Sequence, residues 1–288
     1  MKLFVTGGTG FIGTHFLQAA LAAGHEVIAL RRSSESGPVL PLAVAPTWLT
    51  KPMDKLTMDD LQGSEVVVHL ASPGVSPKAA TWRELIYWNV DVACALVETA
   101  VASGVRRIVA VGTCLEYGDG AAHYDFIPAN AALQPNTLYG ASKAAASVAL
   151  CAHARITHCE LFYGRIFHAY GEGQHKGNFW PSLCQAALSG QDFIMTSGRQ
   201  MRDFIPVESV ASQLLTACGC ADLRPGQPCL ANLGSGTPVS LADFATQEWN
   251  RLGAKGRLLV GGRPDRPGEI HRYVPSLDPF FLTFPSAS

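Results

Sequence analysis

Apolar and polar positions follow two different periods in the first half of the chain. Short, continuously apolar runs are typical of buried parallel strands, and longer stretches with one apolar face separate them. The short runs predict strands at 3–6, 26–30, 66–70, 107–111 and 158–162, and the longer stretches predict helices at 11–23, 79–103 and 141–154. This alternation predicts an α/β fold with a doubly wound parallel sheet and right-handed crossovers.

The pattern changes after residue 164, where glycine, proline and aromatic residues become frequent, as in 170–173 and 179–181. Residues 203–207 and 210–218 are regular again. We expect residues 1–163 to form the sheet domain and residues 164–288 to form mainly a smaller lobe, with about 205–231 packing back on the first domain. In open α/β sheets, such insertions overhang the carboxyl ends of the strands, where ligands bind.

A glycine-rich turn, T-G-G-T-G-F-I-G at 6–13, joins the first predicted strand to the first predicted helix. In that context one glycine allows a tight turn, one lets a diphosphate approach the backbone, and one lets helix and strand pack closely. The helix N-terminus adds free N–H groups and partial positive charge. The turn therefore predicts a dinucleotide site whose contacts are Gly7, Thr9, Gly10, Phe11, Ile12 and Gly13.

The second predicted strand ends in Arg31 and Arg32, where an acidic residue would bind the ribose 2′-hydroxyl of NAD. Two guanidinium groups can instead bind a 2′-phosphate through charge-assisted, forked hydrogen bonds. The sequence therefore favours NADP(H). NAD(H) stays open, because both arginines could be ordinary surface cations.

Tyr139 and Lys143 are four residues apart, a spacing that places two side chains on one face of a helix. A neighbouring ammonium favours the phenolate, so we expect it to lower the pKa of the tyrosine below about 10. Such a phenol would exchange protons near neutral pH. The pair alone is weak evidence, but the glycine-rich turn in the same domain makes a catalytic interpretation the better one.

From residue 1 to about residue 272, the chain resembles the extended short-chain dehydrogenase/reductase family, a group of nucleotide-sugar epimerases, dehydratases and reductases. The resemblance depends on motifs that occur in order: the turn at 6–13, H-L-A at 69–71, Asn89, V-G-T-C-L-E-Y-G at 111–118, Tyr139 with Lys143, and the segments 165–171, 202–204 and 266–269. It implies a Rossmann-type sheet with a smaller C-terminal substrate-binding lobe, a nucleotide-sugar substrate and a homodimer.

The resemblance also implies a role for each matching position. Tyr139 would be the acid/base, Lys143 would bind the nicotinamide ribose and tune the tyrosine, and Thr113 would hydrogen-bond the substrate oxygen. Leu70, Ala71 and Asn89 would lie beside the cofactor. The substrate contacts would be Glu116, His168, Arg202 and Arg266, with the two arginines at the diphosphate.

Departures from the family pattern reduce the number of reactions that the chain is expected to catalyse. Sugar 4,6-dehydratases carry an Asp-Glu pair directly after the catalytic threonine, whereas this chain has Cys114 and Leu115, so dehydration is not expected. Reduction of a 4-keto-6-deoxy (or dideoxy) hexose with NADP(H), as in CDP-paratose and CDP-abequose synthases, is favoured. An NAD-dependent 4-epimerase is the alternative. A non-catalytic NADP-binding regulatory protein is a third interpretation, which the complete Thr113, Tyr139 and Lys143 set disfavours.

Composition and charge limit the other partners. The formal net charge of the 288 residues is −1, which calls for neither a nucleic acid nor an acidic membrane surface. We expect no apolar run that could span a bilayer and no signal peptide. The eight scattered cysteines lack any C-x-x-C spacing, which predicts reduced thiols in the cytoplasm and no metal site. The apolar segment 280–284 is expected to pack on the lobe or on a partner.

Overall fold

A computed structural model describes residues 1–75, 80–265, 268 and 270–277 of the chain. The strands are β1 (Lys2–Thr6), β2 (Glu26–Arg31), β3 (Thr47–Thr50), β4 (Val66–His69), β5 (Arg107–Thr113), β6 (Glu160–Ile166), β7 (His168–Tyr170), β8 (Phe193–Ile194), β9 (Met201–Pro206), β10 (Cys229–Leu233), β11 (Pro238–Ser240), β12 (Leu258–Leu259) and β13 (Arg272–Tyr273). The helices are α1 (Phe11–Ala22), α2 (Met58–Leu61), α3 (Trp82–Ile86), α4 (Val92–Ala102), α5 (Leu138–Thr157), α6 (Phe179–Ser189), α7 (Val207–Gly219) and α8 (Leu241–Arg251).

A seven-stranded parallel sheet forms the centre of the molecule, in the order β3-β2-β1-β4-β5-β6-β10. The central strands β1, β4, β5 and β6 are buried on both faces. Consecutive side chains of each strand point to opposite sides of the sheet. Leu3 and Val5 pack with Phe16 of α1 on one face. Phe4 packs with Leu96 of α4 on the other. The predicted doubly wound α/β fold is confirmed, and the strand order reverses at β1 and β4, where such sheets bind ligands.

The segment 82–102 is one helical run, in which a π-helical turn at Tyr87–Asp91 joins α3 to α4. It agrees with the single helix predicted at 79–103, except that residue 79 lies outside the described residues. By length and composition the run could cross a membrane, with 21 residues and a mean hydropathy of 1.4, so the expectation of no such run was wrong. Leu96, Val97 and Ala100 nevertheless pack on the sheet, as in the core helix of a globular protein.

Helix α5 begins three residues earlier than predicted, so that Tyr139 and Lys143 both lie on it. Its N-terminus is capped by Thr137, whose hydroxyl accepts a hydrogen bond from the Gly140 N–H at 3.0 Å. It ends at Thr157, and the next residue, His158, adopts a left-handed conformation with φ 54°. The strand predicted from residue 158 therefore starts only at Glu160.

The second half of the chain contributes both to a second, small sheet and to the central seven-stranded sheet. Strands β7, β9, β11 and β13 form a second, small sheet, and α6 and α8 pack together beside it around Leu183 and Trp249. Helix α7 packs against α1, and β10 pairs with β6 in the main sheet. The sequence analysis missed β3 and β10 as strands. The division between residues 163 and 164 stays a prediction.

Candidate active site at the carboxyl ends of the strands

The glycine-rich turn fits a dinucleotide diphosphate because its glycines leave no room for side chains. Gly7 has φ +75°, and a Cβ there would lie 2.5 Å from the Ala71 N at the end of β4. A Cβ on Gly13 would lie 2.0 Å from the Gly7 carbonyl oxygen. Gly10 precedes α1 and offers no side-chain cap, so the N–H groups of the first turn of α1 are available to bind an anionic group.

Arg31 lies at the end of β2, opposite Thr50 of β3. Its Nε donates a hydrogen bond to Thr50 Oγ1 at 2.9 Å, and its guanidinium carbon lies 5.4 Å from the centre of the Trp48 ring. Both contacts orient the guanidinium plane at the strand end. Arg32 is exposed. Sequence reasoning did not find Trp48 and Thr50, because β3 was not recognised as a strand.

Tyr139 lies against the loop that follows β4 and the turn that follows β5. A Cβ on Gly74 would lie 3.2 Å from its ring, and a Cβ on the adjacent Gly140 would lie 2.5 Å from the Leu115 carbonyl oxygen. Thr113 is the last residue of β5, and its Oγ1 accepts a hydrogen bond from the Leu115 N–H at 3.3 Å. The fold thus brings the end of β5 and the start of α5 together, as the predicted roles require.

A closed hydrogen-bond circuit connects Tyr139 to the π-helical turn. Its hydroxyl is hydrogen-bonded to the Ser72 hydroxyl, and Ser72 donates to Asn89 Oδ1 at 2.7 Å. The Asn89 Nδ2 donates to Ser142 Oγ at 2.9 Å, and Ser142 donates to the Tyr139 carbonyl oxygen at 2.8 Å. Asn89 is only 1% exposed. Ser72 was missed by sequence reasoning, and its only signal was its place directly after Ala71.

The pKa of Tyr139 differs from the sequence expectation. Burial, followed by the nearby Glu116 and Cys114, raises the pKa of the phenol above its ordinary value, although the Ser72 hydrogen bond acts in the opposite direction. The expected lowering by Lys143 was therefore wrong for this arrangement, and the phenol is protonated at neutral pH. Lys143 is 3% exposed, and burial lowers its pKa to about 8, against the opposing charge of Glu116.

Glu116 was expected to contact the substrate, but the structure places it in the protein interior. Its side chain is fully buried, and both of its oxygens bind protein groups. One accepts hydrogen bonds from the Thr113 N–H and the Tyr163 hydroxyl, each at 2.9 Å. The other accepts from Arg165 Nε at 2.6 Å. The structure buries Glu116 beneath Thr113, because the turn after Thr113 directs the carboxylate inward to Arg165.

His168 and Arg202 lie together on adjacent strands of the small sheet. The Arg202 guanidinium lies 5.5 Å from the centre of the Tyr273 ring and donates to the Met201 carbonyl oxygen at 2.8 Å. Burial and then the Arg202 charge lower the pKa of His168 to about 3, so its imidazole is neutral. The same charge acts on Cys114, next to Thr113. Arg266 and the segment 280–284 lie outside the described residues.

In the described part of the chain, the cysteines and the possible metal ligands do not form a second candidate site. Seven of the cysteines are free thiols, namely Cys94, Cys114, Cys151, Cys159, Cys184, Cys218 and Cys220. Across the described ranges, no three His, Cys, Asp or Glu side chains come together as metal ligands. The carboxyl ends of the strands bring together the Tyr139 phenol, the Lys143 ammonium and the Thr113 and Ser72 hydroxyls.

Comparisons with known proteins agree with this site. Residues 3–226 match the model of the NAD dependent epimerase/dehydratase family. A dTDP-glucose 4,6-dehydratase of Streptomyces niveus is 28% identical over 96% of this chain and 84% of its own length. A CDP-abequose synthase of Salmonella muenchen is 24% identical over 74% of this chain and 69% of its own length.

A solved structure of MoeE5 in complex with UDP-glucuronic acid and NAD is 27% identical, covers all of this chain and 94% of its own, and has a TM-score of 0.82. The chain therefore belongs to the NAD dependent epimerase/dehydratase family, as an enzyme that modifies sugar nucleotides.

Proposed function

We propose that the chain is an NADP(H)-dependent oxidoreductase that reduces the 4-keto group of a 6-deoxy (or dideoxy) hexose carried on a nucleotide. The observation that carries the proposal is a protonated phenol, Tyr139, next to the buried Lys143 and the hydroxyl of Thr113, at the strand ends that also hold the glycine-rich turn. Reduction of a ketone requires a proton donor next to the carbonyl oxygen, and the raised pKa keeps the Tyr139 phenol protonated.

The residues of the chain supply the proton and stabilise charge. A bound reduced nicotinamide would supply a hydride, which carries the two electrons and the hydrogen, to the carbonyl carbon. Tyr139 gives its proton to the carbonyl oxygen, and the Thr113 hydroxyl donates a hydrogen bond to the same oxygen as negative charge develops there. The Thr113 oxygen accepts from the Leu115 N–H, and the hydroxyl is also hydrogen-bonded to the Cys114 thiol, a contact that it would exchange for the substrate oxygen. The Ser72–Asn89–Ser142 circuit holds the phenol in place.

Arg31 supports the preference for NADP(H). Within the described residues its contacts use Nε and the guanidinium face, which leaves the two terminal nitrogens for a 2′-phosphate. We expect Arg31→Ala to raise the Kd of NADPH at least about tenfold, which corresponds to one lost charge-assisted contact of ~1.4 kcal/mol, and to change the Kd of NADH much less. Fluorescence titration measures both, with Arg32→Ala as the comparison. Equal effects of Arg31→Ala on the two cofactors would refute the preference.

Leu115 supports reduction over dehydration. A leucine cannot abstract a proton, and its carbonyl oxygen packs against Gly140. Turnover is tested by mixing the protein with NADPH and a panel of 4-keto sugar nucleotides, and by following the absorbance of the reduced cofactor. Consumption of NADPH with formation of the reduced sugar is the expected result. No consumption with any member of the panel would refute the proposal.

An NAD-dependent 4-epimerase is the second candidate, because the solved structure of MoeE5 contains NAD. An epimerase would retain NAD through purification and interconvert two sugar nucleotides without net oxidation of cofactor. Binding of cofactor without either reaction would indicate a regulatory protein. We also propose a homodimer in a reducing cytoplasm. Free thiols at Cys94, Cys114 and Cys151 are consistent with that compartment, and light scattering tests the dimer.

A further inference from the structure

A buried ion pair lies directly behind the proposed reaction site. Glu116 is fully buried and the Arg165 side chain is 2% exposed, and their atoms approach to 2.6 Å. A buried carboxylate of this kind is costly unless its hydrogen bonds are complete. Gly112 makes space for it, since a Cβ at that position would lie 2.2 Å from Glu116 Oε1.

The Glu116 carboxylate binds the backbone of Thr113. In the turn Cys114–Glu116, Thr113 Oγ1 accepts from the Leu115 N–H while the Glu116 carboxylate accepts from the Thr113 N–H, so the two side chains cap the turn reciprocally. The rotation of Thr113, and hence the direction of its hydroxyl, depends on this cap.

The same carboxylate also connects to helix α5. The Tyr163 hydroxyl lies 2.9 Å from Glu116 Oε1 and 3.1 Å from the Lys143 carbonyl oxygen, so it bridges the two. The guanidinium carbon of Arg165 lies 5.1 Å from the centre of the Tyr117 ring and 5.7 Å from the centre of the Tyr163 ring. Its Nη2 lies 3.5 Å from the hydroxyl of Ser147, one turn beyond Lys143 on α5.

We propose that Glu116 is a positioning residue, which fixes Thr113 and Lys143 relative to each other and holds negative charge next to the Lys143 ammonium. The inference rests on the proposed function for its effect on turnover, but the charge effect can be measured without turnover. Glu116 raises the pKa of Lys143 against burial. The Lys143 ammonium interacts electrostatically with His69 at the end of β4 and with Glu116 after β5. The other titratable or charged groups on the elements packed against α5 include Cys114 after β5, Tyr163 and Arg165 on β6, and Tyr139 on α5 itself.

The chain offers a matched control at the opposite end of the same two strands. Arg107 and Glu160 face each other at the starts of β5 and β6, with Nε 2.7 Å from Oε2 and both side chains 9% exposed. Glu116→Gln and Glu160→Gln each leave one buried arginine without its carboxylate, so both are expected to lower thermal stability. Only Glu116→Gln removes charge and a hydrogen-bond acceptor next to the reaction site.

The turnover test compares full pH profiles of the two variants with that of the wild type. We expect Glu116→Gln to lower kcat between about tenfold and a hundredfold with little change in KM, because the reacting groups are misplaced while the binding residues remain. The alkaline limb of its profile shifts to lower pH, since the carboxylate that raises the pKa of Lys143 against burial is gone. Glu160→Gln retains the wild-type profile. A Glu116→Gln profile that superimposes on the wild type would overturn the inference.

A spectroscopic test is independent of the substrate. Lysine side chains labelled with 13C at Cε are titrated by NMR in the full-length protein, and the signal that Lys143→Arg removes is assigned to Lys143. Glu116→Gln is expected to move the midpoint of Lys143 downward by about one pH unit, and Glu160→Gln is expected to leave it unchanged. An unmoved midpoint in Glu116→Gln, or an equal shift in Glu160→Gln, overturns the inference even if turnover is never found.

If Glu116→Gln does not fold, the double variant Glu116→Gln/Arg165→Met removes the unpaired charge as well. Replacing a buried ion pair by groups of similar volume is often tolerated. This variant also lacks the Glu116 carboxylate, so the Lys143 midpoint must again fall. A wild-type midpoint in the double variant would contradict the inference.

Discussion

The close contact between α1 and β1 gives the sharpest test of the dinucleotide turn. An alanine Cβ at position 13 would lie 2.0 Å from the Gly7 carbonyl oxygen and 2.8 Å from the Gly8 Cα. Ordinary contacts between such atoms are about 3.5 Å, so the start of α1 would have to move by roughly 1.5 Å. Gly10 differs, because a Cβ there would lie 3.3 Å from the same oxygen, which a small adjustment relieves.

These distances predict separable effects on stability and on cofactor affinity. Gly13→Ala should lower the free energy of unfolding by about 3 kcal/mol, at the upper end of overpacking costs, and lower Tm by roughly 6 to 12 °C. Gly10→Ala should lower it by less than about 1 kcal/mol. It should nevertheless weaken NADPH binding by about tenfold or more, equivalent to ~1.4 kcal/mol, because its methyl group lies where the diphosphate must approach the backbone.

Thermal unfolding followed by circular dichroism, together with fluorescence titration of NADPH, measures the two quantities. Gly219→Ala is the control, because Gly219 ends α7 and a Cβ there has no atom within 4 Å. This variant should retain both stability and affinity. A Gly13→Ala protein as stable as the wild type, or a Gly10→Ala protein that loses as much stability as Gly13→Ala, would refute the reasoning.

Two further predictions concern the phenol and an acid-sensitive helix cap. Tyr139→Phe removes the proton donor, so kcat should fall by about 10² to 10⁴ while KM stays nearly constant; steady-state kinetics that match the wild type would contradict the assigned role. Hydrogen bonds from Lys51 and Thr57 hold the pKa of Asp60 below its ordinary value, although burial opposes them. The resulting stability is present above the unfolded pKa of about 4 and is lost as the pH falls through the folded value. Denaturant titrations at several pH values should therefore show a weaker acid dependence for Asp60→Asn, and an unchanged dependence would exclude this contribution.

The sequence determined the features that are local or periodic. Continuous apolar runs predicted the central strands, since a strand covered on both faces needs no polar side, and the glycine spacing at 6–13 predicted the cofactor turn. The spacing of Tyr139 and Lys143 predicted a shared helix face, which holds because α5 begins at Leu138. The edge strand β3 was missed because it is only four residues long, Thr47–Thr50, and none of its side chains is fully buried, so it lacks a continuous apolar run.

Only the tertiary structure decided the electrostatics and the places of the buried polar groups. The pKa of Tyr139 depends on burial and on Glu116, which act through space and leave no periodic signal. Glu116 turns inward because Arg165, 49 residues away in the chain, provides its partner, and Arg31 is oriented by Trp48 and Thr50 from another strand. Local spacing fixes which face of an element a side chain occupies, whereas the charges that meet there are set by packing between distant segments.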